Sequence, residues 1–438
     1  MEYDFRTLNY LGSKFRLLDF IERKVQDITP MGEGVCDLFA GSCCVSRKLS
    51  RNFEVISCDI QNYSKVIGDA LLYKFDITDE DINGFLKLIY TESANKLRSV
   101  FAPLIQLEQD AIKNKNLEIL ASILEYGSVE VFSLSPTASP LLPQLGNVED
   151  RLVSTGLNNE LSLISRYYGG VYFSYKQAVE IDIILDAIHS FVPLKHRDLY
   201  LAALLSTASD IVDTVGKHFA QPLKARDTNG KIKNVVYNKA VKDKTIDVIT
   251  LYTDWLLKYK NLSKNNLSHS TLQGDFEHCL KNLPDNVRTI YADPPYTRDH
   301  YSRFYHVLET IALRDTPKIS TVTIHGSTHV SNGIYRVDRH QSPFCIKSKA
   351  LDAFQKMFKI ASASNRNLLL SYSPYDETKK SHPRVVTMQQ LMSLAKEYYN
   401  NVETLSAGSF KHNKLNSTEH LLDASEEAEL LIVCTNNN

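Results

Sequence analysis

The stretch VCDLFAGS, residues 35–42, joins a short apolar run to a turn of small residues. The run is typical of a buried parallel strand, and the small residues after it let backbone amides approach a nucleotide-like ligand closely. A second run, EVISCDI at 54–60, follows about 20 residues later and contains Asp59 near its end, where a carboxylate can accept hydrogen bonds from ribose hydroxyls. The turn alone is weak evidence, because ordinary strands also end in such turns. Together with Asp59 it suggests an adenosine-containing cofactor.

Four more apolar runs end in small or acidic residues, and segments of helical periodicity lie between the runs. The runs are STLQGDF (270–276), RTIYAD (288–293), NLLLSYS (367–373) and ELLIVC (429–434). Apolar residues recur at helical spacing in 14–28, 44–51, 347–364 and 387–400. Strands that alternate with helices predict an open α/β sheet, which binds ligands at the carboxyl ends of its strands.

The alternation is lost between Asp59 and Ser270, for about 200 residues, so this part of the chain should be a large insertion or a second domain. We place one domain at 1–69 and 270–438 and an inserted region at 70–269. Within the insert, 178–193 and 198–215 have apolar positions at helical spacing and should be helices that pack together.

The insert also contains a basic segment. It contains eleven basic residues and only four acidic ones. The basic residues are Lys217, Lys224, Arg226, Lys231, Lys233, Lys239, Lys242, Lys244, Lys258, Lys260 and Lys264, and the acidic residues are Asp227, Asp243, Asp247 and Asp254. Such a segment can be a surface that contacts a phosphate backbone, or a solvated lysine-rich loop. The whole chain of 438 residues has a formal net charge of −1, so any basic surface has to be regional.

Composition argues against several classes of protein. No run of about 18 apolar residues occurs, and the start MEYDFRTLNY has no charged region followed by an apolar one. We therefore expect neither a membrane span nor a secretory signal. The expected location is the cytoplasm. The seven cysteines are scattered without a C-x-x-C pair, so neither a zinc site nor a disulfide framework is expected.

The run RTIYAD leads into Asp293-Pro294-Pro295-Tyr296, which should lie at the carboxyl edge of the sheet. The prolines fix φ and remove two backbone donors, which leaves the carbonyl groups of the turn as rigid acceptors. Such acceptors suit the exocyclic amino group of a base, which is a poor nucleophile until both of its hydrogens are held. Asp293 and the Pro294 carbonyl could hold them, while Tyr296 stacks on the base. A base in a duplex has to be flipped out to reach such a site. The alternative is a proline-rich surface turn.

Asp-Pro-Pro-Tyr after a strand, preceded by YLGSK (10–14) and DLFAGS (37–42) in that order, resembles the DNA adenine-N6 methyltransferases of the Dam-like D12 class. The resemblance covers both ends of the chain. It implies a Rossmann-like fold that binds S-adenosylmethionine, with a large inserted helical and target-recognition region. The catalytic residues that it implies are Asp293, Pro294, Pro295 and Tyr296. The cofactor-binding residues that it implies are Tyr10, Gly12, Lys14, Asp37, Phe39, Gly41, Ser42, Asp59, Asp275 and Phe276.

Four further segments look like the subgroup of this class that is associated with bacterial restriction–modification systems. They are YFSYKQAVEIDIILDAI (172–188), DTVGKHFAQPLK (213–224), HYSRFYHVLETI (300–311) and SPFCIKSKALDAFQKM (342–357). Two motifs depart from the class. Asp213-Thr214-Val215-Gly216 stands in place of the more usual N-T-x-G, which leaves the role of that loop open, and the first turn has AGSCC in place of a glycine-rich G-x-G.

Candidate DNA contacts follow the Asp-Pro-Pro-Tyr turn directly. Residues 300–306 (HYSRFYH) could stack on bases or hold phosphates, and the alternative is a helical stripe that faces the core. Arg336 and Arg339 could reach guanine edges or phosphates, or could form surface ion pairs. The predicted DNA-binding residues are Lys217, Lys224, Arg298, His300, Tyr301, Arg303, Tyr305, Arg336 and Arg339. We place target recognition in 70–170 and 220–268, because these segments interrupt the α/β pattern.

The sequence thus predicts a site-specific adenine-N6 methyltransferase that acts on double-stranded DNA by direct transfer, without an enzyme nucleophile or a metal. Methylation of cytosine C5 is dismissed, because it needs a cysteine after a proline and no Pro-Cys pair occurs. Methylation of cytosine N4 more often has Ser before the prolines, and methylation of protein glutamine typically has Asn there. Both remain alternatives within the transferases. A DNA-binding or specificity subunit with a decayed active site is the alternative from another class. A restriction endonuclease that acts separately would be the partner in a restriction–modification system.

Overall fold

The computed structural model describes residues 5–297, 301–324, 326–373, 385–406 and 429–436. The chain divides into two compact units, each built from separate segments. The sheet unit comprises Met1–Lys74, Leu262–Ser302 and His340–Asn438, and the helical unit comprises Phe75–Asn261 and Arg303–Arg339. Our first domain, 1–69 and 270–438, therefore included residues 303–339, which the structure groups with the helical unit instead.

Nine strands lie within the described residues. They are β1 (Gly34–Leu38), β2 (Val55–Asp59), β3 (Ser270–Gln273), β4 (Val287–Ala292), β5 (Thr321–Ile324), β6 (Ser327–Val330), β7 (Asn367–Tyr372), β8 (Asn401–Ser406) and β9 (Leu430–Thr435). Seven of them form the sheet of the sheet unit in the order β3-β2-β1-β4-β7-β9-β8. The first five in this order are parallel, whereas β9 is antiparallel to both of its neighbours. The predicted α/β fold is confirmed, and each of the six apolar runs contains a strand.

The same part of the chain contains eighteen α-helices. They are α1 (Leu18–Ile28), α2 (Cys44–Leu49), α3 (Asn62–Leu72), α4 (Asp79–Leu88), α5 (Glu92–Lys113), α6 (Leu117–Tyr126), α7 (Val129–Leu134), α8 (Leu142–Thr155), α9 (Leu163–Tyr168), α10 (Tyr175–Phe191), α11 (Leu194–Ile211), α12 (Val235–Asp243), α13 (Val248–Lys260), α14 (Phe276–Lys281), α15 (Tyr301–Phe304), α16 (His306–Leu313), α17 (Ala350–Ala363) and α18 (Met388–Ala395). Short 3-10 helices cover Lys14–Leu17, Glu160–Ser162 and Pro343–Cys345.

The core of the sheet unit explains why its strands appear as continuous apolar runs. β1 is buried at every position, and β7 is buried at all but its first residue. Ile290 of β4 and Leu368 and Leu370 of β7 belong to one buried cluster together with Phe354 and Met357 of α17. Strands that are covered on both faces have no solvent-facing side, so polar residues do not alternate along them.

The topology places the two motif turns at one edge of the sheet. β1 and β4 are neighbours where the strand order reverses, and ligands of open α/β sheets bind beside the carboxyl ends of strands at such a point. VCDLFAGS ends β1 there, and Asp293 follows β4 directly. Because β9 runs in the opposite direction, its first residue lies at this edge as well. Glu429, which directly precedes β9, is thereby brought to the edge.

The helical unit is built around two long, mostly buried helices. α10 begins with a capping box, in which the Ser174 hydroxyl accepts the Gln177 N–H and the Gln177 side chain accepts the Ser174 N–H. α10 and α11 contact each other, as predicted for 178–193 and 198–215.

The helical unit also contains an antiparallel hairpin of β5 and β6, which we did not predict. Backbone hydrogen bonds extend it at its base, from Ser320 N–H to the Tyr335 carbonyl and from Val337 N–H to the Lys318 carbonyl.

Candidate active site

A cavity of about 240 Å³ opens at the carboxyl edge of the sheet, within the sheet unit. It is lined by the N-terminal YLGSK segment, by the ends of β1 and β2, by the start of α14 and by the turn after β4. The predicted cofactor and catalytic residues that line it are Tyr10, Gly12, Lys14, Phe39, Asp59, Asp275, Phe276, Asp293, Pro294, Pro295 and Tyr296. Tyr301, predicted to contact DNA, also lines the cavity. Residues far apart in sequence thus meet at one site.

The glycine turn after β1 is held by Asp59. One carboxylate oxygen of Asp59 accepts the Gly41 N–H at 2.9 Å, and the other accepts the Gln61 N–H at 2.9 Å. Gly41 has φ +55°, and a Cβ at this position would lie 2.6 Å from the hydroxyl oxygen of Tyr10. The position therefore requires glycine for two reasons, the left-handed backbone and the close approach of Tyr10.

Three of the predicted cofactor residues, Asp37, Gly41 and Ser42, do not line the cavity. Asp37 is buried, and one of its oxygens accepts both the Ser46 N–H at 2.8 Å and the Ser46 hydroxyl at 2.6 Å. Burial raises the pKa of Asp37 to about 7, although the two hydrogen bonds from Ser46 lower it. The Ser42 carbonyl accepts the Thr7 hydroxyl at 2.9 Å. In this structure Asp37 and Ser42 support the turn, and their predicted contact with a cofactor stays a prediction.

Aromatic side chains form one wall of the cavity. Phe39 has φ +68°, which is uncommon for a residue with a side chain, and its ring lies 6.4 Å from that of Phe276 at an interplanar angle of 30°. The ring of Phe344 packs edge-on against both of them. Asp275 has a structural task as well, because its carboxylate accepts the His278 N–H at 2.8 Å and caps α14.

The Asp-Pro-Pro-Tyr turn presents a carboxylate that is paired with a lysine. Lys14 Nζ lies 2.9 Å from Asp293 Oδ2 and 3.2 Å from Glu429 Oε1. The side chains of Lys14 and Glu429 are 6% and 3% exposed, whereas that of Asp293 is 23% exposed. Asp293 is therefore the member of this trio that is most accessible from the cavity. Lys14, which we predicted as a cofactor contact, is bound to the predicted catalytic carboxylate.

Burial and neighbouring charges set the ionisation of Asp293 and Lys14. Burial raises the pKa of Asp293 to about 6; the charge of Glu429 adds to this rise, and Lys14 opposes it. Burial alone would favour the neutral amine of Lys14, but Asp293 and Glu429 together raise the pKa of Lys14 well above its ordinary value. At neutral pH the lysine is therefore a cation, and Asp293 is mainly ionised.

Glu429 is the residue of this site that the sequence did not reveal to us. Its carboxylate contacts Lys14 and also accepts the Ser371 hydroxyl at 2.6 Å. The available signal was an acidic residue at the start of the run ELLIVC, but we read this run as a strand only. A strand of the same direction as its neighbours would have carried this residue to the other edge of the sheet. The reversal of β9 decides its location, and no local pattern encodes that reversal.

Three of the predicted DNA-binding residues are withdrawn, because the structure occupies or buries them. The Lys217 ammonium donates to the Asp210 and Val212 carbonyls and to Asp243, which uses all three of its donors. Arg336 is 4% exposed, and its two terminal nitrogens bind the two carboxylate oxygens of Asp315. Tyr305, which lies between α15 and α16, is 2% exposed, so its side chain has no surface to offer to a base or a phosphate.

The other predicted DNA-binding residues stay predictions. Lys224 and Arg303 are exposed, and Arg339 is half-buried. Arg298 and His300 lie outside the described residues.

Much of the basic segment is neutralised by acidic residues from other parts of the chain. Arg226 pairs with Glu118 and Glu125, and Lys260 pairs with Asp79. Lys244 is buried and pairs with Glu108, at 2.9 Å. Local composition therefore overstated the basic character of this surface. Lys224, Lys231, Lys242 and Lys258 are the exposed lysines of the segment.

Asp213 takes the place of the Asn in the more usual N-T-x-G pattern, and its carboxyl group is buried. The residue is 1% exposed, and neither carboxyl oxygen has a hydrogen-bond partner among the described residues. Burial raises the pKa of Asp213, although Lys244 and Lys239 lower it. A carboxyl group whose pKa is higher in the folded state than in the unfolded state destabilises the fold above the unfolded pKa of about 3.9, and this penalty is lost as the pH falls.

We predict that Asp213→Asn, the residue of the more usual pattern, raises the midpoint of urea unfolding at pH 8. The physical reason is that an amide avoids the cost of burying a charge. The advantage should shrink steadily as the pH is lowered from 8 towards 5. Urea titrations of both proteins at several pH values measure this, and an advantage that is independent of pH would contradict the electrostatic explanation.

Three features occur together here: a mostly parallel sheet with its crevice at the topological switch point, a glycine turn held by an acidic residue, and the Asp-Pro-Pro-Tyr turn beside it. They define a class of α/β proteins that bind a nucleotide-like cofactor. Residues 10–132 and 217–369 match the family described as D12 class N6 adenine-specific DNA methyltransferase, and the chain belongs to this family. The resemblance noted from the sequence is thereby confirmed.

Three relatives illustrate the range of matches. Type II methyltransferase M.FokI of Planomicrobium okeanokoites is 24% identical over 376 residues, which are 84% of this chain and 44% of that protein. Modification methylase LlaI of Lactococcus lactis subsp. lactis is 24% identical over 397 residues, 89% of this chain and 49% of that protein. Type II methyltransferase M.NlaIII of Neisseria lactamica is 24% identical over 379 residues, 84% of this chain and 83% of that protein. The chain thus spans about half the length of the first two relatives.

The described residues lack two features that would point to other functions. No helix there is both long and apolar enough to cross a membrane. No group of three or more His, Cys, Asp or Glu side chains in that part of the chain is arranged to hold a metal ion.

Proposed function

We propose that this chain is a site-specific DNA methyltransferase that transfers a methyl group from S-adenosylmethionine to the N6 amino group of a flipped adenine. The observation that carries the proposal is the location of Asp293. Its carboxylate follows β4 at the switch point of the sheet and lines the same cavity as Asp59 and Phe39, the residues that close β2 and β1. An acceptor for the amino group and a binding place for a nucleoside therefore share one cavity.

The residues around the cavity fit S-adenosylmethionine. Asp59 would accept hydrogen bonds from the ribose hydroxyls, and Phe39 and Phe276 provide apolar surface for an adenine ring. Tyr10 packs against Gly41 of the glycine turn and itself lines the cavity. When bound, this cofactor supplies a methyl group on a positively charged sulfur.

The residues of the turn prepare the acceptor nitrogen. The Asp293 carboxylate and the Pro294 carbonyl would accept the two hydrogens of the amino group and so make its nitrogen lone pair available. Asp293 has to be ionised for this role, which its pKa of about 6 permits at neutral pH. Tyr296 lines the same cavity and offers a face on which the flipped base can stack. No covalent enzyme intermediate is needed, because positioning and electrostatic preorganisation lower the barrier.

The direct test combines the purified chain with labelled S-adenosylmethionine and DNA of mixed sequence, followed by digestion to nucleosides. We expect the label in N6-methyladenine. Label in N4-methylcytosine would support the first alternative, and DNA binding without any transfer would support an inactive specificity subunit. Methylation-sensitive sequencing of genomic DNA from a naive host that expresses the chain would then give the recognition sequence.

We further propose that the enzyme acts in the cytoplasm of a bacterium as part of a restriction–modification or related defence system. The printed names of the relatives, Type II methyltransferase and modification methylase, support this context. A cognate restriction endonuclease would act separately on the same sites. Protection of methylated DNA against a candidate endonuclease is the assay for this partnership.

We propose that Arg303 and Arg339, whose guanidinium groups both lie against the Tyr335 ring at the base of the hairpin, contact the DNA backbone. Their guanidinium carbons lie 5.4 and 5.1 Å from the centroid of the Tyr335 ring. The Tyr335 hydroxyl donates to the Ala220 carbonyl, which fixes the ring in place. Arg339 Nη1 is buried without a hydrogen-bond partner among the described residues, so a phosphate would have to be bound by the other nitrogens of this half-buried side chain; burial together with the charge of Arg303 lowers the pKa of Arg339. Two adjacent guanidinium groups on one ring form a favourable place for a phosphate.

We predict that Arg303→Gln with Arg339→Gln weakens DNA binding similarly for specific and nonspecific sequences. Two lost phosphate contacts should reduce the slope of log K against log salt concentration by about 2 in magnitude. Arg226→Gln is a matched control in the same unit, because Arg226 is already paired with Glu118 and Glu125. Fluorescence anisotropy at several salt concentrations measures the slopes. A double variant with the parent's slope would exclude this contact.

A further inference from the structure

Lys14 is held by three acceptors, of which Asp293 is only one. Its ammonium group contacts Asp293 Oδ2 at 2.9 Å, Glu429 Oε1 at 3.2 Å and the Gly12 carbonyl at 3.3 Å. An ammonium group has three hydrogens, so these contacts account for all of them. Glu429 is itself anchored, because it accepts the Ser371 hydroxyl from the neighbouring strand β7 at 2.6 Å. The lysine is therefore fixed in position and shared between two carboxylates.

We propose that Glu429 is a positioning residue for methyl transfer, which acts through Lys14 to keep Asp293 oriented and a strong hydrogen-bond acceptor. The proposal rests on the function proposed above. The ion pair with Lys14 runs through Asp293 Oδ2, and we assign the other oxygen, Oδ1, to the amino group of the base. Lys14 thus orients the Asp293 carboxylate, and the ion pair with Glu429 fixes the position of Lys14.

Sharing the lysine has an electrostatic consequence. A lysine that belonged to Asp293 alone would neutralise its charge and weaken it as an acceptor for the amino hydrogens. The second carboxylate changes this balance: with Lys14 protonated and both carboxylates ionised, the trio carries a net charge of about −1. Negative charge therefore remains beside the amino group, whose nitrogen gains positive charge as it accepts the methyl group. Glu429 also raises the pKa of Asp293, which is the direction expected of a nearby like charge.

Other titratable groups face Asp293 and have to be considered in any pH experiment. The phenols of Tyr291 and Tyr296 are buried nearby, and their pKa values are raised well above the ordinary value, primarily by burial. They stay neutral over the relevant range. Asp37 interacts with Asp293 from behind the glycine turn, and its own pKa is about 7. The pH profile of a variant therefore has to be compared with that of the parent and not interpreted alone.

The first test compares the pH dependence of kcat/KM for Glu429→Gln and for the parent on the same DNA. Loss of the Glu429 charge should move the acid limb to lower pH by roughly one unit and lower the rate at the plateau. Glu429→Asp keeps the charge and should hold the acid limb near that of the parent. Glu403→Gln on the exposed strand β8 is the matched control. An unshifted acid limb in Glu429→Gln would overturn the proposal, even if the plateau rate falls.

The second test needs no catalysis. Lys14→Met leaves the buried Glu429 and the partly buried Asp293 without their cation, so adding Glu429→Gln to this variant removes one uncompensated charge. At pH 8, Glu429→Gln should therefore lower the melting temperature of the parent but raise that of Lys14→Met. A decrease in both backgrounds would show that Glu429 serves packing alone and would overturn the assignment. If the parent labels no DNA, the proposed function fails, whereas the melting experiment still decides whether Lys14 is shared.

Discussion

Replacing Asp293 with alanine is expected to slow methyl transfer about 10²–10³-fold, the cost of removing one preorganised polar group at a reacting centre. The variant should still fold, because Lys14 keeps Glu429 and the Gly12 carbonyl as acceptors. Binding of S-adenosylmethionine should change much less than kcat, since Asp59 and the glycine turn are untouched. Single-turnover transfer of labelled methyl groups and equilibrium binding of the labelled cofactor measure the two effects separately.

Two further variants sharpen this experiment. Asp293→Asn keeps the shape and one acceptor oxygen but loses the charge, so its rate should lie between those of the alanine variant and the parent. Asp285→Ala, at an exposed position before β4, is the matched control and should transfer at the rate of the parent. An alanine variant at 293 that is as fast as the parent would remove the basis of the proposed mechanism.

The α/β fold was predictable because its strands are buried on both faces and therefore appear as apolar runs. Two kinds of strand escaped this criterion. β8 (Asn401–Ser406) is an exposed edge strand with only Val402 and Leu405 as apolar residues. The β5–β6 hairpin is exposed too, although TVTI, a glycine-containing turn and STHV carry the β-branched composition of a hairpin. Exposed strands depend on pairing with neighbours, which a hydrophobic pattern does not record.

The charged residues show a different limit of the sequence. Arg336 and Arg339 lie in the same loop-like segment, yet Arg336 is buried against Asp315 and Arg339 lies on Tyr335. The lysines of the basic segment likewise find acidic partners far away in the chain, such as Glu108 for Lys244. Whether a cation is available for a phosphate depends on these tertiary contacts. A count of charges within a window therefore cannot distinguish a DNA contact from an internal ion pair.

The position of the catalytic motif could be predicted from the sequence, but the residues that hold its carboxylate in place could not. The prolines and the preceding strand place Asp293 at the carboxyl edge by local rules alone. Its partners Lys14 and Glu429 are more than 400 residues apart in the sequence, and Glu429 reaches this edge because β9 pairs antiparallel with β7. Sequence patterns identify residues that have distinctive chemistry. Residues that act through others, as we propose for Glu429, become visible only in the fold.

Replacing Asp59 with alanine is expected to weaken binding of S-adenosylmethionine about 10- to 100-fold, the loss of a hydrogen bond to a charged group of about 1.5–3 kcal/mol. The substitution would remove the contact with the ribose and would also remove the acceptor of the Gly41 and Gln61 N–H groups, which shape the two turns at the cavity. Both donors lose their partner in the variant, so the glycine turn should become less well ordered. Equilibrium binding of the labelled cofactor measures the affinity.

Kinetics on saturating DNA separate this effect from a defect in the chemical step. In Asp59→Ala the KM for the cofactor should rise, while kcat at saturating cofactor stays within a few-fold of the parent, because Asp293 and Lys14 remain in place. This is the opposite of the pattern expected for Asp293→Ala. Asp59→Asn preserves one acceptor oxygen and should fall between the parent and the alanine variant in affinity. An Asp59→Ala protein that binds the cofactor as tightly as the parent would show that this carboxylate organises the turn but does not contact the ribose.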